Sequence, residues 1–135
     1  MTYVLDTNAF SALMKGSPAV VERLAATEPA QIAVPQPVLA EIAYGIERLS
    51  HSKRRTALDG RFDLLCVELP RAEWTDAVSR MYGRIKAMLE RRGTRIEDFD
   101  AAIAAHALAL DATLVTADLD HMVRVPGLRV EDWSR

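Results

Sequence analysis

Apolar residues along this chain fall into two rhythms. Short continuous runs occur at Tyr3-Val4-Leu5, Ile32-Ala33-Val34, Leu64-Leu65-Cys66-Val67-Glu68-Leu69, Thr113-Leu114-Val115-Thr116 and Leu128-Arg129-Val130. Their length and β-branched content suit strands buried on both faces. Between them, apolar positions recur every three or four residues. Val38, Leu39, Ile42, Ile46 and Leu49 share one arc of a helix over residues 37–49. Trp74, Val78, Met81, Tyr82, Ile85 and Leu89 do the same over residues 71–92, and Gly93 suits the left-handed position that closes such a helix. Residues 99–110 are almost wholly apolar and Ala-rich, which predicts a helix buried on most sides. Shorter helices are expected from Ala9 to Lys15, closed by Gly16, from Ser17-Pro18 to about Glu28-Pro29, and weakly from the basic stretch at His51 toward Phe62. Strands alternating with helices predict an α/β fold with a parallel sheet in three layers, as one domain spanning residues 1–135. No internal repeat, low-complexity tract or linker divides it.

Composition narrows the class without choosing a function. A chain of 135 residues with 50% hydrophobic and 27% charged residues can bury a real core. A formal net charge of −2 argues against holding nucleic acid by bulk positive field, though not against an enzyme that acts on it. Cys66 is the only cysteine, so no intrachain disulfide can form, which fits a reducing cytoplasm. The N-terminus lacks the pattern of a signal peptide, and no apolar run approaches a membrane span.

The chemistry concentrates on acids. Asp6 ends the first strand, at the carboxyl edge where open α/β sheets gather their ligands. Asp118 follows Thr116 at the end of the fourth strand, and so faces the same edge. Asp100 lies in the first turn of the apolar helix. Glu41 lies early in the helix that leaves strand two, about 60° outside the Val38 edge of its apolar arc at roughly 100° per residue. Each has a plainer account: Asp6 or Asn8 as helix cap, Asp100 as complement to a helix dipole with Asp98 capping, Glu41 as a solvated surface acid, Asp118 as a turn residue. Taken together, carboxylates converging on one cleft repel one another unless divalent cations compensate them. Oxygen ligands without thiols or paired imidazoles suit Mg²⁺ or Mn²⁺. Such a centre can activate water against a phosphodiester. His51, His106 and His121 are scattered without zinc-ligand spacing, His106 reads as a structural or surface histidine, and Cys66 reads as mid-strand packing. No Gly-rich phosphate loop or nucleophile elbow is present.

Three stretches carry a family resemblance: Val4-Leu5-Asp6-Thr7-Asn8, Leu39-Ala40-Glu41-Ile42-Ala43-Tyr44-Gly45-Ile46, and Asp100-Ala101-Ala102-Ile103-Ala104-Ala105. They resemble PIN-domain ribonucleases. The tail, with Leu114-Val115-Thr116-Ala117-Asp118 and Val125-Pro126-Gly127-Leu128-Arg129-Val130-Glu131-Asp132-Trp133, is similar to VapC toxins of type II toxin–antitoxin pairs. The resemblance implies an α/β/α sandwich on a five-stranded parallel sheet and Mg²⁺- or Mn²⁺-dependent cleavage of RNA. It also implies a cognate VapB-type antitoxin whose C-terminal segment wraps the toxin, and homodimers and hetero-oligomers with no membrane role. By position it assigns Asp6, Glu41, Asp100 and Asp118 as catalytic and metal-binding acids, with Thr7, Asn8 and Thr116 as polar neighbours. Asp120 competes with Asp118, and Asp98 shadows Asp100. Asp6, Asp100 and Asp118 would hold the principal ion, and Glu41 a water or a second ion. Lys53, Arg54, Arg55, Arg91, Arg92 and Arg95 are candidate phosphate contacts by charge alone. One rival reading, a receiver-like phosphoacceptor, lacks an acid closing strand three and a lysine closing strand five. The other is a catalytically silent PIN-like binding module, which metal-dependent turnover would distinguish.

Overall fold

The first strand, β1 (Tyr3–Leu5), is the centre of a five-stranded parallel sheet in the computed structural model, which describes residues 1–135. On one side of β1 lies β2 (Ile32–Pro35), then β3 (Arg71–Ala72). On the other lies β4 (Thr113–Val115), then β5 (Arg129–Glu131). Tyr3 is in register with both Ile32 and Thr113. The order β3-β2-β1-β4-β5 reverses direction between β1 and β4, which places a topological switch point between their carboxyl ends.

Seven α-helices cover the sheet: α1 (Thr7–Met14), α2 (Pro18–Ala25), α3 (Gln36–Glu47), α4 (Lys53–Glu68), α5 (Asp76–Arg91), α6 (Asp98–Ala109) and α7 (Leu119–Met122). Right-handed crossovers put α1 to α4 on one face and α5 to α7 on the other. The packing agrees, since α1 touches α3 and α4, while α6 touches α5, β1 and β4. This is the three-layer α/β/α architecture that the strand–helix alternation predicts. One hydrophobic cluster of 30 buried residues runs through it. In α6, Ala101, Ala102, Ala104, Ala105 and Ala107 are all buried around Ile103. Their small side chains let this helix lie close to the sheet and α5 at once. Truncating Ile103 there would cost roughly 2–5 kcal/mol.

The third strand is where the sequence pattern misleads. Residues 64–69 are not a strand; α4 runs through them to Glu68, and β3 lies beyond Pro70. The physical reason is visible in spacing. Leu58, Phe62, Leu65 and Cys66 stand on one helical face against the core, while Leu64 and Val67 are exposed, which a doubly buried strand would not allow. Cys66 is therefore a helix residue, not a mid-strand one. Pro70 gives no donor to the ladder but lends its carbonyl to Val34 N–H, so pairing begins after it. The long helix likewise starts at Asp76, not Arg71. Thr75 caps it by accepting from Val78 N–H, leaving Trp74 in the connection, about half exposed. Gly93, with φ +68, ends that helix as expected.

Candidate active site

Asp6 leaves β1 with its backbone still in the ladder, since its N–H donates to Val115 O at 3.1 Å. Its side chain then accepts from Ala9 N–H at 2.8 Å and caps α1. The capping account is thus correct, and it fixes Asp6 in place at the switch point with 4% exposure. The Thr116 hydroxyl at the end of β4 is near enough to lower the proton affinity of the Asp6 carboxyl. The buried Thr116 Oγ1 accepts from Asp118 N–H at 2.9 Å, which fixes the backbone that carries Asp118.

The other acids reach this point from separate elements. Glu41, on the second turn of α3, accepts a short hydrogen bond from Thr7 Oγ1, which binds α3 to the start of α1. Asp100 stands in the first turn of α6. Asp118 caps α7 and receives His121 N–H at 3.4 Å, while His121 Nδ1 lies 2.9 Å from both of its carboxylate oxygens.

Electrostatics shows that these groups share one neighbourhood. Burial pushes the Asp6 carboxyl above its ordinary 3.8, the Thr116 hydroxyl and the Ala9 N–H pull it back, and the charges of Asp118 and Glu41 raise it again. Asp100 is pushed up to about 6, first by burial and then by the charges of Glu41, Asp118 and Asp6, with His121 opposing. No three of the acidic or imidazole groups meet at a single point, as expected of like charges free to splay apart. An all-oxygen set whose members raise one another's proton affinity is nevertheless the donor chemistry that a hard divalent cation satisfies.

Asp100 and Asp118 open onto a cleft of about 520 Å³, which Asp98, Glu97, His121 and Arg95 also line. Asp98 sits at its rim and pairs with Lys86 at 3.2 Å. Asp120 is exposed and does not line the cleft, so of the competing pair it is Asp118 that faces the other acids. Asn8 is exposed and borders a different, smaller cavity with Val115, Asp132 and Trp133. Glu41 borders a half-apolar groove between α1, α3 and α4, together with Lys15 and Arg54.

Sequence reasoning missed His121 and Arg124. His121 carries the only available signal, an Asp-x-x-His step across a capped turn, which brings the ring back onto the capping carboxylate. His106 is neither exposed nor partnered. It is fully buried with both ring nitrogens free of hydrogen bonds, edge-on to Trp74 at 5.3 Å, and burial lowers its pKa.

Comparison with known proteins finds relatives over nearly the whole chain. The PIN domain model matches residues 3–128. Ribonuclease VapC2 of Rickettsia felis is 32% identical, with both chains covered in full, and the tRNA(fMet)-specific endonuclease VapC of Shigella flexneri is 32% identical over 99% of each. The solved structure of VapBC2 from Rickettsia felis, bound to a DNA fragment from its promoter, superposes with a TM-score of 0.87. It is 30% identical over 98% of this chain and 99% of that one.

Proposed function

The chain belongs to the PIN-domain family, and from that premise we propose that it is a metal-dependent endoribonuclease, the toxin of a VapBC-type toxin–antitoxin pair. The observation that carries the reading is the mutual electrostatic influence of Asp6, Glu41, Asp100 and Asp118, delivered from β1, α3, α6 and α7 to the switch point of the sheet. Relatives alike from end to end are ribonucleases, and a similar chain is held in a VapBC assembly, which supports an RNA substrate and a VapB-type antitoxin partner.

Asp6, Asp100 and Asp118 would hold a Mg²⁺ or Mn²⁺ ion, with Glu41 placed for a water or a second ion. Such an ion, when bound, supplies the charge that activates a water and stabilises the leaving oxygen of a phosphodiester. The chain's own residues set the stage for it. Ala9 N–H fixes Asp6, Thr116 fixes the Asp118 backbone, Thr7 orients Glu41, and His121 holds Asp118 against rotation. The buried floor of Val4, Leu5, Val115 and Ile103 keeps these supports rigid, so the acids are placed by packing as well as by hydrogen bonds.

The test is cleavage of total cellular RNA by purified protein with Mg²⁺, with Mn²⁺ and with EDTA, alongside Asp6→Asn. The reading predicts discrete fragments that vanish with EDTA and in the variant. RNA left intact by folded, antitoxin-free protein in both metals would refute it and favour a binding module.

A further inference from the structure

Among the cations that charge singled out, the structure separates one from the rest. Arg55 is consumed locally, donating to Leu49 O and pairing with Glu47 at 2.9 Å. Arg54 lies in the half-apolar groove beside Glu41. Lys53 begins α4, while Arg91 and Arg92 close α5, all exposed and outside the acidic cleft. Arg95 alone of the six lines the cleft that Asp100 and Asp118 open onto, and it is the only Lys or Arg to do so. Its guanidinium makes no ion pair, although Glu97 and Asp98 line the same cleft and Asp98 is engaged by Lys86.

The backbone that carries Arg95 is also anchored. Arg124, in the turn between α7 and β5, donates from Nη1 to the Arg95 carbonyl at 2.9 Å. This contact joins the α5–α6 connection to the segment that follows Asp118. It fixes the Arg95 backbone without placing a second cation in the cleft, which Arg124 does not line. Arg95 thus stands on a braced backbone beside a group of carboxylates that a polyanion could not approach unaided.

We infer that Arg95, braced by Arg124, is the phosphate-holding residue of this cleft, gripping an RNA backbone phosphate next to the one that is cut. The inference rests on the nuclease reading and deepens it by naming a substrate contact. A guanidinium suits the role because it presents a fork of donors to phosphate oxygens and stays charged at every working pH. Its contribution is to hold and register the strand, leaving the chemistry to the acids, so its loss should act on KM more than on kcat.

The experiment measures binding of a fluorescent single-stranded RNA oligonucleotide by anisotropy across a KCl series. It uses the Asp6→Asn protein, which should leave the RNA uncut, with and without Arg95→Ala, Arg95→Lys or Arg91→Ala. Arg95→Ala should weaken binding about five- to tenfold and lower the salt slope by about 1, the signature of one lost phosphate contact. Arg95→Lys should keep the slope while losing part of the affinity, and Arg91→Ala should change neither. On the Asp6 background, Arg95→Ala should raise KM with kcat nearly kept. Unchanged affinity and slope in Arg95→Ala would overturn the inference. The two readings fail separately: Arg95-dependent binding by a protein that never cuts RNA would keep this contact and refute the nuclease, whereas RNA cleavage with KM indifferent to Arg95 would do the reverse.

Discussion

Removing the charge of Asp100 should make the metal-free protein more stable. The carboxyl rises from an ordinary 3.8 to about 6, chiefly through burial and then through Glu41, Asp118 and Asp6. At about 1.4 kcal/mol per pH unit, that rise corresponds to a penalty of about 3 kcal/mol on the ionised folded state. Asp100 is only partly buried, so solvent screening reduces the figure, and the favourable position of a negative charge in the first turn of α6 offsets about 0.3–1 kcal/mol more. About 1–2 kcal/mol remains. A folded-state pKa raised above the unfolded one means the penalty is complete above pH 6, shrinks as pH falls through 6, and is gone below 3.8. Urea denaturation in EDTA should therefore show Asp100→Asn about 1–2 kcal/mol more stable than wild type at pH 7.5, with the gap roughly halved at pH 5. Adding Mg²⁺ should stabilise wild type more than the variant, because a ligand bound only to the folded state adds to its stability. An Asn variant no more stable than wild type at pH 7.5, or a gap indifferent to pH, would refute the claim that the acids repel one another.

Two further substitutions separate structural from chemical roles. Asp6→Asn keeps an acceptor for Ala9 N–H and, because burial raises the Asp6 carboxyl as it raises that of Asp100, should be at least as stable as wild type in EDTA at pH 7.5 while abolishing RNA cleavage, whereas Asp6→Ala should be about 1 kcal/mol less stable than Asp6→Asn through loss of the helix cap, read by thermal denaturation. His106, whose pKa lies below the ordinary 6.5, gives the opposite pH sign to Asp100. Below that value the unfolded chain takes up a proton that the buried ring refuses, so this contribution to stability falls as pH drops through 6.5. His106→Leu, which removes two unpartnered buried nitrogens, should be at least as stable as wild type at pH 7 and gain on it as pH falls from 7 to 5. A variant less stable by more than 1 kcal/mol at pH 7 would show that the edge contact with Trp74 outweighs the unmet polarity.

The parts of the fold that the sequence revealed are those where local and tertiary demands coincide. Ile32 to Val34 is wholly buried and flanked by breakers, and residues 98–109 are apolar on nearly every side, so each pattern admits one structure. Residues 64–69 were ambiguous because a short apolar run satisfies either a strand or the buried face of a helix. The choice fell to Leu58 and Phe62, two turns and one turn upstream, whose packing commits the whole stretch to α4. The acids were legible for a similar reason. Asp6 and Asp118 follow strands directly, so strand direction alone predicts the edge they face. The supports were not: the Thr7–Glu41 bond spans 34 residues and the Arg124–Arg95 bond 29, and neither spacing leaves a periodic trace. His121 has no histidine partner by spacing; its partner is the carboxylate three residues before it.

Titration of Mn²⁺ into the protein, followed by loss of the free-ion resonance signal, tests most directly whether the acids form one cation centre. The account predicts saturable binding to wild type that is lost in both Asp6→Asn and Asp100→Asn, although these acids stand on different elements. Binding that survives in either variant, or no binding to the wild-type chain, would contradict it.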